Sequence, residues 1–245
     1  QGSALCVPLD PPLSPGAVAD LTLWFSDTLP TDTSSGYGVF AFADGVYTLA
    51  GFYPTIPVYD DEGWNVEVAP AYGDVTFTDV AFYQVHLTAP ADQIVVTSGN
   101  IVETRDNNDG TRTWVAVGGP MRDFYIAMSA DYQVVSEKVD GTQVNSYYRP
   151  LQPEGGKRAL RYAADALRLF NERFGPYPYT ELDVIATPTT AGGIEDPGAI
   201  VIAQSLYYQA GGFFEVVTAH EVAHQWWYGL VGNDQLDEPW LDESL

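Results

Sequence analysis

Thr218-Ala219-His220-Glu221-Val222-Ala223-His224-Gln225-Trp226-Trp227 is the stretch on which the reading of this chain turns. It contains the pattern H-E-x-x-H. Four residues of α-helix carry the side-chain direction through about 400°, so His220 and His224 fall on one face, a turn apart. Two imidazoles placed that way can both reach one metal ion at about 2.0–2.1 Å. Glu221 stands beside them, positioned to take a proton from a water that the metal polarises. The plain alternative is a chance match on a buried helix. At average composition such a match arises on the order of once in a hundred chains of this length. Two of the 3 histidines in the chain belong to the pattern.

The 245 residues suffice for one or two domains with a sizeable core. Hydrophobic residues make up 46%, which is not a disordered composition. No run of apolar residues is long enough to span a bilayer, so no membrane span is expected. The formal net charge is −23, from 33 acids against 10 bases. Such a chain repels nucleic acid and anionic membrane surfaces, which argues against both as partners. It tolerates or attracts cations, a peptide's free amine among them, although plain solubility accounts for the same charge. Cys6 is the 1 cysteine, so no internal disulfide forms. Ala4-Leu5 argues against a lipid anchor at Cys6, because a lipoprotein cleavage site wants a small residue directly before the cysteine. No signal peptide is visible. The low lysine count suits a secreted or cell-envelope protein, with the cytoplasm left open, and oligomeric state is not legible.

Pro8, Pro11, Pro12 and Pro15 predict an extended lead-in. From about 17 to 148 the pattern is β, with short runs of Val, Phe, Tyr and Thr between Gly, Asp, Asn and Pro. Asp44-Gly45, flanked by Val39–Phe42 and Val46–Leu49, is a hairpin signal, and Asp140-Gly141 is a second connection. Further strands are expected at Val75–Phe77, Ala81–Leu87, Ile94–Val96, Trp114–Val117, Phe124–Met128 and Val144–Tyr148. His86 falls in the alternation of such a strand and reads as structural. The character changes at Arg149-Pro150. An amphipathic helix is predicted from Glu154 to Phe174, stopped by Gly175-Pro176. Strands follow at Leu182–Ala186 and Ala199–Ala203, with a loop at Gly192–Gly198 between them. The metal-binding helix is expected from about Phe213 to Tyr228, ending at Gly229 or Gly232, and Pro239 suits the first turn of another helix. The expectation is therefore a mainly β domain over 1–149, sandwich or saddle-like, and an α+β domain over 150–245.

Two histidines leave a catalytic zinc site incomplete, since three protein ligands and one open position are usual. Asp234, Asp237, Glu238, Asp242 and Glu243 are the candidates downstream. An adjacent antiparallel helix can aim one carboxylate at the metal.

Here the chain resembles a known family. H-E-x-x-H, eighteen residues, then the glutamate of Trp240-Leu241-Asp242-Glu243-Ser244 is similar to the gluzincin aminopeptidases of the aminopeptidase N type, whose form there is W-L-N-E-G. Gly192-Gly193-Ile194-Glu195-Asp196, placed before what reads as an edge strand, resembles that family's G-x-M-E-N. Phe174-Gly175-Pro176-Tyr177-Pro178-Tyr179 resembles its stretch after the first catalytic-domain helix. The resemblance implies a thermolysin-like catalytic fold and one zinc per chain on His220, His224 and Glu243. It implies Glu221 as general base, Glu195 as anchor of the substrate's α-amine, and Gly192 and Gly193 as backbone that holds the peptide. Ile194 and Asp196 depart from the pattern, so the first subsite differs in shape and is more negative. The family often adds a glutamine from the β domain at the amine; Tyr53 is a weak stand-in. The family's catalytic domain continues past the third ligand, to a tyrosine facing the oxyanion and a helical domain. The expectation is that this sequence is a fragment, a zinc binder and a poor peptidase by itself. A thermolysin-type zinc endopeptidase and a non-catalytic module of the same fold are the rival readings.

Overall fold

The computed structural model describes residues 4–67, 77–209 and 211–244. Residues 4–29 carry no strand or helix, and the first strand begins at Phe40 rather than near 17. The side chains of Val18, Leu21, Leu23, Trp24 and Phe25 are all exposed. Alternation makes a strand only where a partner supplies the other half of the ladder. Of the expected strand Val75–Phe77, positions 75 and 76 lie outside the described residues.

Two hairpin strands, β1 (Phe40–Ala43) and β2 (Val46–Leu49), turn through Asp44 at φ 49° and Gly45 at φ 74°, the paired left-handed geometry a two-residue hairpin wants. Next come β3 (Ala81–Pro90), β4 (Ile94–Thr97), β5 (Asn100–Asp106), β6 (Thr111–Met121) and β7 (Ile126–Ser129). Strand β5 escaped the sequence reading because it is a polar edge, exposed along nearly its whole length. These strands form a four-stranded sheet in the order β1-β2-β7-β4 and a three-stranded sheet in the order β3-β6-β5. Trp114, Met121, Phe124, Ile126 and Met128 share one core cluster, which joins the two sheets.

Then β8 (Gln133–Val139) and β9 (Thr142–Tyr148) turn through Asp140-Gly141, and α1 spans Pro153–Phe174. After it come β10 (Glu181–Thr187), β11 (Gly193–Ile194), β12 (Ala199–Ala203), α2 (Gly212–Ala223) and the short α3 (Trp240–Glu243). One sheet runs β11-β12-β10-β9-β8, with β10 parallel to both neighbours. Of its interior strands, β10 and β12 read as largely apolar runs because both faces are covered. Leu182, Val184, Ile200 and Ile202 pack with Leu167 of α1 and Phe214 and Val222 of α2. Ile185, Ala199 and Val201 point the other way, onto Val46, Val96 and Ala127 of the four-stranded sheet. The fold is thus a mainly β N-terminal part and a partial thermolysin-like α+β part, stacked in layers.

Two expectations need correcting. The division near 149 does not follow the sheets: β8 and β9 precede it, yet β9 pairs with β10 from Gln143↔Glu181 to Tyr147↔Ile185. Composition changes where α1 begins, whereas the hairpin before it has the same β character as everything upstream. The motif Gly192–Asp196 also does not precede an edge strand. Its Gly193-Ile194 is the edge strand, and β12 lies inside the sheet.

Candidate functional site

Helix α2 is shorter than expected, ending at Ala223 with His224 as its cap at φ −61°, ψ −15°. Tighter turns follow: Trp226 N–H donates to Ala223 O at 2.9 Å, and Tyr228 then reverses the chain at φ 95°. The reversal after the helix therefore falls on a non-glycine residue in the left-handed region. The surroundings hold it there: Arg122 Nε donates to Tyr228 O at 2.7 Å, and the Tyr228 hydroxyl donates to the Asp123 carboxylate. Behind the helix, Trp226 Nε1 donates to Gly175 O at 3.0 Å, and Phe174 meets Trp227 edge-on at 4.2 Å. The Phe174–Tyr179 stretch is thus the brace of the helix end.

His220 and His224 stand one turn apart with their Nε2 atoms 3.0 Å from each other. Glu243 brings Oε2 to 3.4 Å from His220 Nε2 and Oε1 to 3.7 Å from His224 Nε2. Three donors held about 2.0–2.1 Å from a tetrahedral ion sit roughly 3.3–3.4 Å apart, and these separations bracket that value. The His224 ring supplies a second check. Its Nδ1 lies 3.1 Å from Trp227 O, an acceptor only, so Nδ1 carries the proton and Nε2 turns its lone pair toward His220 and Glu243. Burial and the neighbouring His220 hold the His224 pKa below its ordinary value, which favours the neutral, metal-binding ring. The donor set fits a zinc ion.

The other downstream acids have different places. Asp242 is buried on the far side of His224, with Oδ2 3.9 Å from Nδ1, and accepts from Asn233 Nδ2 at 2.8 Å and Gln235 Nε2 at 2.7 Å. Asp234 closes a turn by accepting the N–H groups of Leu236 and Asp237. Asp237 and Glu238 are exposed. His86 is exposed on β3, away from the group.

A second group shares His224. Glu195, Glu221 and His224 each offer an atom within 4.8 Å of the others, and all three are buried. Glu221 lies flush on β11: a Cβ added to Gly193 would come within 2.3 Å of its Oε1. The loop bearing Glu195 is tied to the helix end by Gln225, whose Oε1 accepts from Gly198 N–H at 2.8 Å and whose Nε2 donates to Asp196 O at 3.3 Å. Gln235 Nε2 donates to Glu195 Oε1 at 3.0 Å. No motif in the sequence marked Gln225 or Gln235; both act through partners distant along the chain. Tyr53 packs against Phe52 and Tyr83 at the β core.

Gly198 fixes this loop where β12 begins. Its φ is +75°, and an added Cβ would lie 2.6 Å from the backbone oxygen of Ser98. Gly198→Ala is expected to cost about 1–3 kcal/mol, through the left-handed backbone and that contact. Urea unfolding measures it; a midpoint equal to that of the parent protein would rule out both causes.

Residues 158–245 match the model of the peptidase family M1 domain. A protein of Oryza sativa subsp. japonica named aminopeptidase M1-A is 27% identical over 92% of this chain, which spans 28% of that relative. Aminopeptidase M1 of Arabidopsis thaliana is 29% identical over the same share, again with 28% of its length spanned. Aminopeptidase N of Acetobacter pasteurianus is 31% identical over 67% of this chain and 50% of its own length.

Proposed function

The chain is a member of the aminopeptidase N-like gluzincin family, and from that premise we propose that it carries the metal, base and amine sites of a zinc aminopeptidase acting on peptides with a free α-amine. One observation supports this above the others: the Glu195–Glu221–His224 group and the His220–His224–Glu243 group share His224, each within 4.8 Å. A peptide residue spans about 3.3–3.6 Å. An ammonium on Glu195 therefore leaves room for one residue before the carbonyl that faces the histidines. That spacing counts from the end of a peptide and disfavours the endopeptidase reading, in which chain must pass on both sides. A donor set already converged, with His224 buried and its ring orientation fixed by Trp227 O, likewise disfavours a module without a metal.

Zinc bound by His220, His224 and Glu243 would polarise the scissile carbonyl and acidify the attacking water. The protein's own side chains handle the proton and the substrate. Glu221 takes the proton of the attacking water on its carboxylate and returns it to the leaving amine. Glu195 pairs with the substrate ammonium through a charge-assisted hydrogen bond, which sets the register. Strand β11 lies at the edge of its sheet, where Gly192 and Gly193 offer backbone to an extended peptide as a further strand. Asp196 adds negative character beside the first subsite.

The test compares leucine p-nitroanilide with its N-acetyl form on the zinc-loaded protein. Removing one charge-assisted contact of about 1.5–3 kcal/mol lowers kcat/KM by about 10–100-fold. Equal turnover of the two would favour the endopeptidase reading, and no stoichiometric zinc would favour the module.

A further inference from the structure

The reading of Glu195 as amine anchor leaves open what holds that carboxylate at its distance from the metal ligands. The anchor sits in the loop after β11, whereas Glu243 sits on α3, and no continuous element joins the two. One side chain crosses between them. Gln235 is buried, and its Nε2 donates both to Glu195 Oε1 at 3.0 Å and to Asp242 Oδ2 at 2.7 Å. Both partners are carboxylates and accept only, so the amide orientation is fixed: the reversed amide would set its oxygen against two carboxylate oxygens. Asp242 in turn adjoins Glu243 on α3 and backs the His224 ring. Gln235 itself is presented by the turn that Asp234 closes, and Asn233 Nδ2 binds the other oxygen of Asp242.

We propose that Gln235 is a positioning residue of the amine site, its carboxamide spanning Glu195 and Asp242 so that the anchor stays one peptide residue from the metal ligands. The inference rests on the aminopeptidase reading and deepens it. A neutral amide suits this place because it gives one N–H to each carboxylate and adds no cation to compete with the substrate's ammonium for Glu195. Gln235 touches neither the metal nor the reacting carbonyl in this role. Its effect passes through where Glu195 points.

The experiment measures the Kd of leucinamide and of 4-methylpentanamide, which keeps the side chain and amide but lacks the α-amine, on zinc-loaded protein by calorimetry. The ratio of the two is the preference for the amine. Gln235→Met fills a similar volume without an N–H. It is expected to cut the preference about tenfold by loosening Glu195, with 4-methylpentanamide bound as before and zinc content unchanged. Gln235→Asn keeps the amide but cannot reach both carboxylates, and is expected to lose about as much. An unchanged preference in both variants overturns the proposal. Equal weakening of the two ligands also overturns it, because a general disturbance of the fold would do that. Should Gln235→Met fail to fold or to hold zinc, Gln235→Asn decides alone by the same two criteria. A parent protein with no preference for the amine would instead sink the aminopeptidase reading itself, a result the variants cannot mimic.

Discussion

Glu221→Gln is expected to retain one zinc per chain and to lose turnover by about 10²–10⁴-fold. The carboxamide has the shape of the carboxylate and can lie in the same place against Gly193, where the fit is too close for a Cβ. It cannot accept a proton from the attacking water. Nor is Glu221 one of the three proposed ligands His220, His224 and Glu243, so the proposed site keeps its donor set. The measurement is kcat on an aminoacyl anilide beside zinc content from the same preparation. Activity within about tenfold of the parent protein, with zinc unchanged, would remove Glu221 from the base role.

His224→Ala is expected to empty the metal site and to abolish activity with it. His220 and Glu243 remain as two half-exposed donors, with side chains 39% and 37% exposed. Two such ligands leave a zinc ion short of the three that a catalytic site supplies. The change also strips Trp227 O of its Nδ1–H donor and leaves Asp242 facing a cavity, so stability falls too. Zinc per chain after dialysis decides the matter: stoichiometric zinc in the variant would take His224 out of the ligand set. His86→Ala is the control. Its side chain is exposed on β3, and its loss should change neither zinc nor stability beyond about 0.5 kcal/mol.

The meeting of His220 and His224 on one helix face was legible because a helix turns a local pattern into geometry. His220 and His224 need only about 3.6 residues per turn to meet, and α2 supplies it. The α1 helix and strands β10 and β12 were legible by the same logic, through their length and apolar period. What stayed hidden depends on pairing or on distant partners. Strand β5 is exposed on both faces and mixes Ile101 and Val102 with polar residues, and pairing with β6 makes it a strand. The chain reversal after α2 is held at Tyr228 by Arg122 and Asp123, a hundred residues upstream, so the nearby glycines Gly229 and Gly232 misled. Asp242 was one acid among five in the sequence. Its neighbour Glu243 faces Nε2 of His224 and of His220 rather than Nδ1 of His224, which a helix start of uncertain position cannot foretell. Gln225 and Gln235 are ordinary amides until the fold brings acceptors to them.

The parallel pairing of β9 with β10 bears on how this molecule can be taken apart. A cut at residue 149 would leave β10 with a raw backbone edge and would uncover the side of Ile185, Ala199 and Val201 that Val46, Val96 and Ala127 now cover. An open, apolar strand edge is a template for self-association, so the excised piece would be prone to clump before its metal site could be examined. The smallest unit that keeps this sheet whole starts ahead of Gln133, and even that unit forfeits the grip of Arg122 and Asp123 on Tyr228. The modular boundary suggested by composition is thus not a seam along which the half that carries His220 and His224 comes away.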